Sequence, residues 1–258
     1  MPGFLRTQLN LFFVALVFFT RLPAPGWVNH SGPMLQRSRA YFPLMGWIVG
    51  GLCGAAAWAA GFAWPAGIAV ALSMGLGLLL TGAFHEDGFG DVCDGFGGGY
   101  HPQQILTIMK DSRMGAYGVL GLAGMLLLKW LCLSQLFAGA PQHLVAVLVA
   151  AHSLSRLAAS GVAQWLPYVQ DADTSKSKPI ASQRLKTLPM LGSAITALLP
   201  LLLLPLQAGL AALACLLSAL PMAAWFRRHM GGYTGDCLGA VQQVSELCFY
   251  LAVVALWN

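Results

Sequence analysis

Charge is what this chain lacks. Of its 258 residues only 9% are Asp, Glu, Lys or Arg, while 57% are hydrophobic. Soluble globular domains carry about 25% charged residues, so this composition excludes a water-soluble body of such length. A lipid-facing surface needs no charge. Cysteine is sparse and unpatterned: Cys53, Cys93, Cys132, Cys215, Cys237 and Cys248 form no C-x-x-C pair, which argues against a disulfide framework or a zinc site. They read as small apolar packing residues. The chain has no fixed-period repeat and no low-complexity linker. The apolar stretch after Arg6 is followed by Pro23 and Pro25 without a convincing small-residue cleavage site, so it reads as uncleaved. Residues 1–258 therefore form one integral-membrane domain.

Apolar runs of about 20 residues, the length that crosses a hydrocarbon core, recur from end to end. Clear spans are expected at 41–62, 65–84, 115–137, 143–166, 188–204, 209–226 and 238–257. The fold class is all-α, a polytopic transmembrane bundle of about seven spans. A shorter helix at 4–20 is expected to be interfacial or re-entrant, because a spanning one would strand Arg6 on the far side.

The net charge of +5 does not point to nucleic acid, because the basic residues sit between apolar segments. Arg21, Arg37, Arg39, Lys110, Arg113, Lys176, Lys178, Arg184, Lys186, Arg227 and Arg228 fall in four connections that alternation places on one side. The opposite turns hold none. By the positive-inside rule the charged side is cytoplasmic, which implies an inner-membrane protein. Eight of the nine acids lie in or beside the same connections: Glu86, Asp87, Asp91, Asp94, Asp111, Asp171, Asp173 and Asp236. The chemistry is expected to face the cytoplasm.

Five of those acids crowd into residues 86–111. Asp87, Asp91 and Asp94 stand at i, i+4 and i+7, so a helix continuing from the preceding span puts them on one face. Bare carboxylates there repel unless a cation sits between them. Oxygen ligands suit Mg²⁺, Mn²⁺ or Ca²⁺, and Mg²⁺ commonly joins one or two carboxylates to substrate phosphates. Glu86 is a further candidate ligand. His85-Glu86 lacks the second His of a zinc protease, the spacing is not that of an EF-hand, and the glycines of 95–99 do not form a P-loop. Lys110 and Arg113, flanking Asp111, suit phosphate oxygens, although anchoring at a span end would use the same residues. Asp236 reads as a helix N-cap or a substrate contact. Arg156, beside His152, Ser153 and Ser155 inside an apolar span, is costly there and is expected to face a cavity or partner; Lys129 and Glu246 stand in similar positions.

These motifs together resemble one family. His85-Glu86-Asp87-Gly88-x-x-Asp91-x-x-Asp94-Gly95, followed by Met109-Lys110-Asp111-Ser112-Arg113-Met114-Gly115-Ala116-Tyr117-Gly118, is similar to the signature of the cobalamin synthase (adenosylcobinamide-GDP ribazoletransferase) family. Thr20-Arg21-Leu22-Pro23, Phe42-Pro43-Leu44-x-Gly46, Ser155-Arg156 and Gly232-x-Thr234-Gly235-Asp236-x-Leu238-Gly239-Ala240 follow the same order. The resemblance covers about residues 10–256. Phe89 and Gly90 replace an expected Leu and Ala and leave every acid in place.

The resemblance implies Mg²⁺-dependent attack of α-ribazole, or its 5′-phosphate, on adenosylcobinamide-GDP, releasing GMP and forming adenosylcobalamin or its phosphate. It implies Asp87, Asp91, Asp94 and Glu86 as metal ligands, and Lys110, Asp111, Arg113, Arg156, Asp236 and Arg21 on the substrates. The proton acceptor is open between a carboxylate and His85, which would otherwise orient Asp87 or Glu86. The expected partners are these substrates and the lipid bilayer, with no nucleic acid; a homodimer is an expectation for a small membrane enzyme. A CDP-alcohol phosphatidyltransferase is the nearest rival, but Gly90-Asp91 stands where its motif needs Ala-Arg. A membrane prenyltransferase lacks its second Asp-rich motif here. A transporter would carry its acids at mid-span and show mirrored halves.

Overall fold

The computed structural model describes residues 2–169 and 184–257, and every regular element within them is helical. Asp171, Asp173, Lys176 and Lys178, counted in the charge asymmetry, lie outside the described residues. In chain order the helices are α1 (Pro2–Phe19), α2 (Gly32–Ser38), α3 (Phe42–Ala60), α4 (Ala66–Thr81), α5 (Phe84–Gly98), α6 (Pro102–Met109), α7 (Ala116–Gly139), α8 (Leu144–Trp165), α9 (Thr187–Leu198), α10 (Ala208–Met230) and α11 (Gly235–Trp257). Among the described residues, five stretches are long and apolar enough to cross a membrane: Gly32–Ala60, Ala116–Gly139, Pro141–Trp165, Ala208–Met230 and Gly235–Trp257. The bent pair α4–α5 makes a sixth if counted as one span. The span expected at 188–204 is shorter. It is the 12-residue α9, tightening into 3₁₀ turns over Leu199–Leu203, where Pro200 removes a backbone N–H.

Helix association in lipid relies on close packing and interhelical hydrogen bonds rather than on water exclusion. The α3–α8 pair shows both. Gly46, Gly50 and Gly54 recur every four residues on α3 and touch the backbone of α8. A Cβ at these positions would stand 2.5 Å from the His152 oxygen, 2.7 Å from the Leu148 oxygen and 2.9 Å from the Val145 Cα. Ser153 Oγ donates to the Pro43 carbonyl at 3.0 Å across the same seam.

The acids stand on a helix of their own, beyond the second span expected at 65–84. α4 stops at Thr81, and α5 leaves at 89° to it. Gly82 (φ +65°) and Ala83 (φ +56°) are both left-handed, and their N–H groups both reach the Leu78 carbonyl. The physical reason is local. Two successive left-handed residues cannot continue a right-handed helix, and Gly82 adopts that conformation without a Cβ penalty. Arg21 fills the outside of this elbow: its N–H donates to the Leu80 carbonyl at 2.7 Å, and its Nε would lie 2.6 Å from a Cβ on Gly82.

A buried polar network ties the acid-bearing helix to the spans. Lys129 Nζ (α7) donates to Glu246 Oε1 and Gln243 Oε1 (α11), each at 2.7 Å. Glu246 also accepts from Gln242 Nε2 at 2.6 Å and from the Tyr250 hydroxyl at 3.2 Å, with His152 Nδ1 (α8) 3.3 Å away. Gln243 Nε2 donates onward to Glu86 Oε1 (α5) at 2.9 Å, so four helices share one network.

Two outcomes follow for stability in detergent. Ala83→Gly should raise it by about 0.5–1 kcal/mol, the left-handed penalty of about 1–2 less the added chain entropy of Gly. Gly82→Ala should lower it; thermal melts read both. Lys129→Met should cost about 3–5 kcal/mol by leaving Glu246 charged and unpaired, and adding Glu246→Gln should restore much of that loss. Denaturant titration of the single and double variants measures the difference.

Candidate active site

Helical geometry divides the acids of α5. At about 100° per residue, Asp87, Asp91 and Asp94 share one side, His85 takes the opposite side, and Glu86 lies between. Asp87 is exposed, Asp91 half-buried and Asp94 buried. Gly88, on the side toward α11, allows the two helices to approach: a Cβ there would stand 2.9 Å from the Asp236 Cα, and one on Gly239 would stand 3.0 Å from the His85 oxygen.

That approach brings Asp236 to the acid face. The charges acting most strongly on Asp91 are Asp236, then Asp87, then Asp94, and Asp87 also acts on Asp236. Asp236 is not the cap of its helix. Thr234 Oγ1 accepts the Cys237 N–H at 3.4 Å and performs that task, while the preceding turn is fixed by the Val169 N–H donating to the Tyr233 carbonyl and the Tyr233 N–H donating to the Pro167 carbonyl, each at 3.0 Å. The carboxylate of Asp236 accepts from Thr234 Oγ1 at 3.4 Å. Asp87, Asp91 and Asp236 form a face of oxygen donors from two distant parts of the chain. Among the described residues no three His, Cys, Asp or Glu side chains close into a ready-made metal cage.

The other expected residues point elsewhere. Asp94 accepts the N–H groups of Gly115 at 2.7 Å and Gly118 at 2.8 Å, so its two oxygens cap the first turn of α7. A Cβ on either glycine would collide with that carboxylate. Glu86 turns to Gln243 and an internal cavity. His85 is buried against Phe19, Phe42 and Phe84. Arg156 is 1% exposed; it donates to the His152 carbonyl at 2.8 Å and lies 5.5 Å over the Phe42 ring. Arg21 stands at the α4–α5 elbow.

Lys110 and Arg113 lie on the exposed link from α6 to α7. Arg113 forms a two-pronged ion pair with Asp111, at 2.7 Å for Nη2 and 3.0 Å for Nε, and its N–H closes the turn at 3.0 Å. These bonds to Arg113 hold the Asp111 carboxyl down at about 2. A depressed carboxylate supports its turn above its unfolded pKa of about 3.9 and loses that support as pH falls through the folded value. Arg113→Ala should therefore raise Asp111 toward the ordinary carboxylate range, with the retained backbone N–H keeping part of the depression, as a ¹³C NMR titration of labelled Asp would show.

Sequence reasoning did not pair Asp236 with Asp87 and Asp91, and it missed Thr234 as the cap and Gln243 as the link to Glu86. The signal for the first was present in Gly88 and Gly239, small residues beside acids on two helices.

The chain matches the family model described as cobalamin-5-phosphate synthase over residues 11–254. It is 48% identical over 255 residues to the adenosylcobinamide-GDP ribazoletransferase of Shewanella frigidimarina, covering 96% of this chain and 95% of that one. It is 44% identical to the protein of the same name from Leptothrix cholodnii, covering 96% of each. No solved structure matches. Motif order, acid-bearing helix and near-complete match agree: the chain belongs to the cobalamin-5-phosphate synthase family.

Proposed function

We propose that this protein transfers the cobinamide-phosphate part of adenosylcobinamide-GDP to the 5′-hydroxyl of α-ribazole or its 5′-phosphate. The new bond joins the 5′-oxygen to the phosphorus that carries cobinamide. The bond from that phosphorus to the bridging oxygen breaks, and GMP leaves with the electron pair. The relatives' names supply the substrates. The observation that carries the residue-level reading is the close approach of α5 and α11 at Gly88 and Gly239, which sets the start of α11, with Asp236, beside the helix that bears Asp87 and Asp91.

This donor set fits Mg²⁺. It is all oxygen, and its open form suits an ion that keeps several waters and takes substrate phosphates as ligands. Asp87, Asp91 and Asp236 would hold the ion, which when bound neutralises charge on the diphosphate. Asp94 and Glu86 keep their structural partners in this reading. A carboxylate of the acid face, rather than His85, accepts the hydroxyl proton, since His85 is buried on the opposite side of α5. Lys110 and Arg113, exposed next to the Asp94 cap in sequence, meet phosphate oxygens, with Arg suited to two-pronged contact. The site faces the cytoplasm of the inner membrane in this reading, which the clustering of basic residues in the connections supports.

Purified protein with adenosylcobinamide-GDP, Mg²⁺ and α-ribazole should release GMP only when α-ribazole is present. Asp91→Ala and Asp236→Ala should each cut turnover by roughly a thousandfold, about 4 kcal/mol of barrier, at normal membrane expression. Asp94→Asn should lower thermal stability while leaving the Mg²⁺ concentration for half-maximal activity near that of the parent. Near-parental turnover in Asp91→Ala would remove the metal-face reading, and activity with CDP-diacylglycerol instead would favour a phosphatidyltransferase.

A further inference from the structure

The interior of the bundle holds a second polar feature, separate from the acid face. A cavity of about 50 Å³ lies among α3, α4, α5, α7, α8 and α11. Its walls include Glu86, Lys129, His152, Arg156 and Glu246, an unusual set for the inside of a membrane bundle. Lys129 and Glu246 are paired, as described. On the side toward α5 the accounting is incomplete. Both ring nitrogens of His85, Oε2 of Glu86 and Nε of Arg156 are buried and have no hydrogen-bond partner among the described residues, and all three side chains line the cavity. His85 and Arg156 are 3% and 1% exposed.

A buried donor or acceptor without a partner costs about 1–3 kcal/mol. Four such atoms on one wall therefore call for an occupant. The required chemistry is specific. Arg156 Nε only donates, Glu86 Oε2 as a carboxylate only accepts, and a neutral imidazole does one of each. A cation would face Lys129 and Arg156, and an anion would face Glu86 and Glu246. A small neutral molecule that both donates and accepts meets all four atoms. At ~10–15 Å³ for each water, the space takes about three or more.

We propose that this cavity is a hydrated site, a cluster of about three or more ordered waters bonded to His85, Glu86 and Arg156 behind the acid-bearing helix. The cluster gives α5 polar support on the side away from Asp87 and Asp91. It also completes the network that runs from Lys129 and Glu246 through Gln243 to Glu86. This assignment does not depend on the metal or the substrates.

Pulsed X-ray radiolysis of the detergent-purified protein in H₂¹⁸O, read by mass spectrometry, tests it directly. Waters held in the cavity generate hydroxyl radicals in place. Tyr250, which lines it, should take up ¹⁸O several-fold faster than Met45, which is equally buried in apolar surroundings and has the more reactive side chain. Labelling of Tyr250 no faster than Met45 would overturn the assignment. Val49→Ile adds a methylene at the cavity wall and gives a second reading by sign. Filling a dry cavity raises the melting temperature, so a higher value contradicts the hydrated site.

Discussion

The distance at which α5 can approach α11 decides whether Asp236 comes near Asp87 and Asp91. Gly88 meets the Asp236 backbone and Gly239 meets the backbone of His85, with no room for a Cβ on the first and little on the second. At that separation Asp236, near the end of the chain, joins Asp87 and Asp91. An added methyl at Gly88 would push the helices apart and move Asp236 away from its partners. The grouping of these acids is in this sense a consequence of two small residues.

The crossing in turn needs α5 to leave the direction of α4. A helix that continued straight would carry its carboxylates along the axis of an apolar span, where ionised side chains are expensive. The left-handed pair Gly82–Ala83 turns the chain by 89° instead. α5 is then held at three places. Asp94 caps α7 through Gly115 and Gly118, Glu86 accepts from Gln243, and the glycine contacts seat it on α11. One side of the helix is thus left to chemistry, while its end and its other sides are structural.

Much of this was legible in the sequence. Low charge and recurrent apolar runs were enough for the membrane bundle, and motif order was enough for the family. The spacing of Asp87, Asp91 and Asp94 correctly predicted a shared side. It could not reveal that Asp94 spends both oxygens on a helix cap, because that depends on where the start of α7 lies in space. The elbow was hidden for a related reason: Gly82 in an apolar run is compatible with a continuing helix, and Ala83 ordinarily favours one. Asp236 read as a cap because Asp is a good cap, and only the position of Thr234 resolves the competition. The Gly46–Gly50–Gly54 stripe was visible as a spacing, but its partner helix was not.

The central claim is that residues about 150 positions apart bind one divalent ion, and iron-directed cleavage tests it most directly. Fe²⁺ substituted for Mg²⁺ generates hydroxyl radicals in the presence of ascorbate and peroxide and cuts backbone close to the ion. The account predicts cuts near both 87–91 and 235–237, suppressed together by excess Mg²⁺ and lost together in Asp91→Ala. Cuts confined to 87–94, with none at the start of α11, would contradict it.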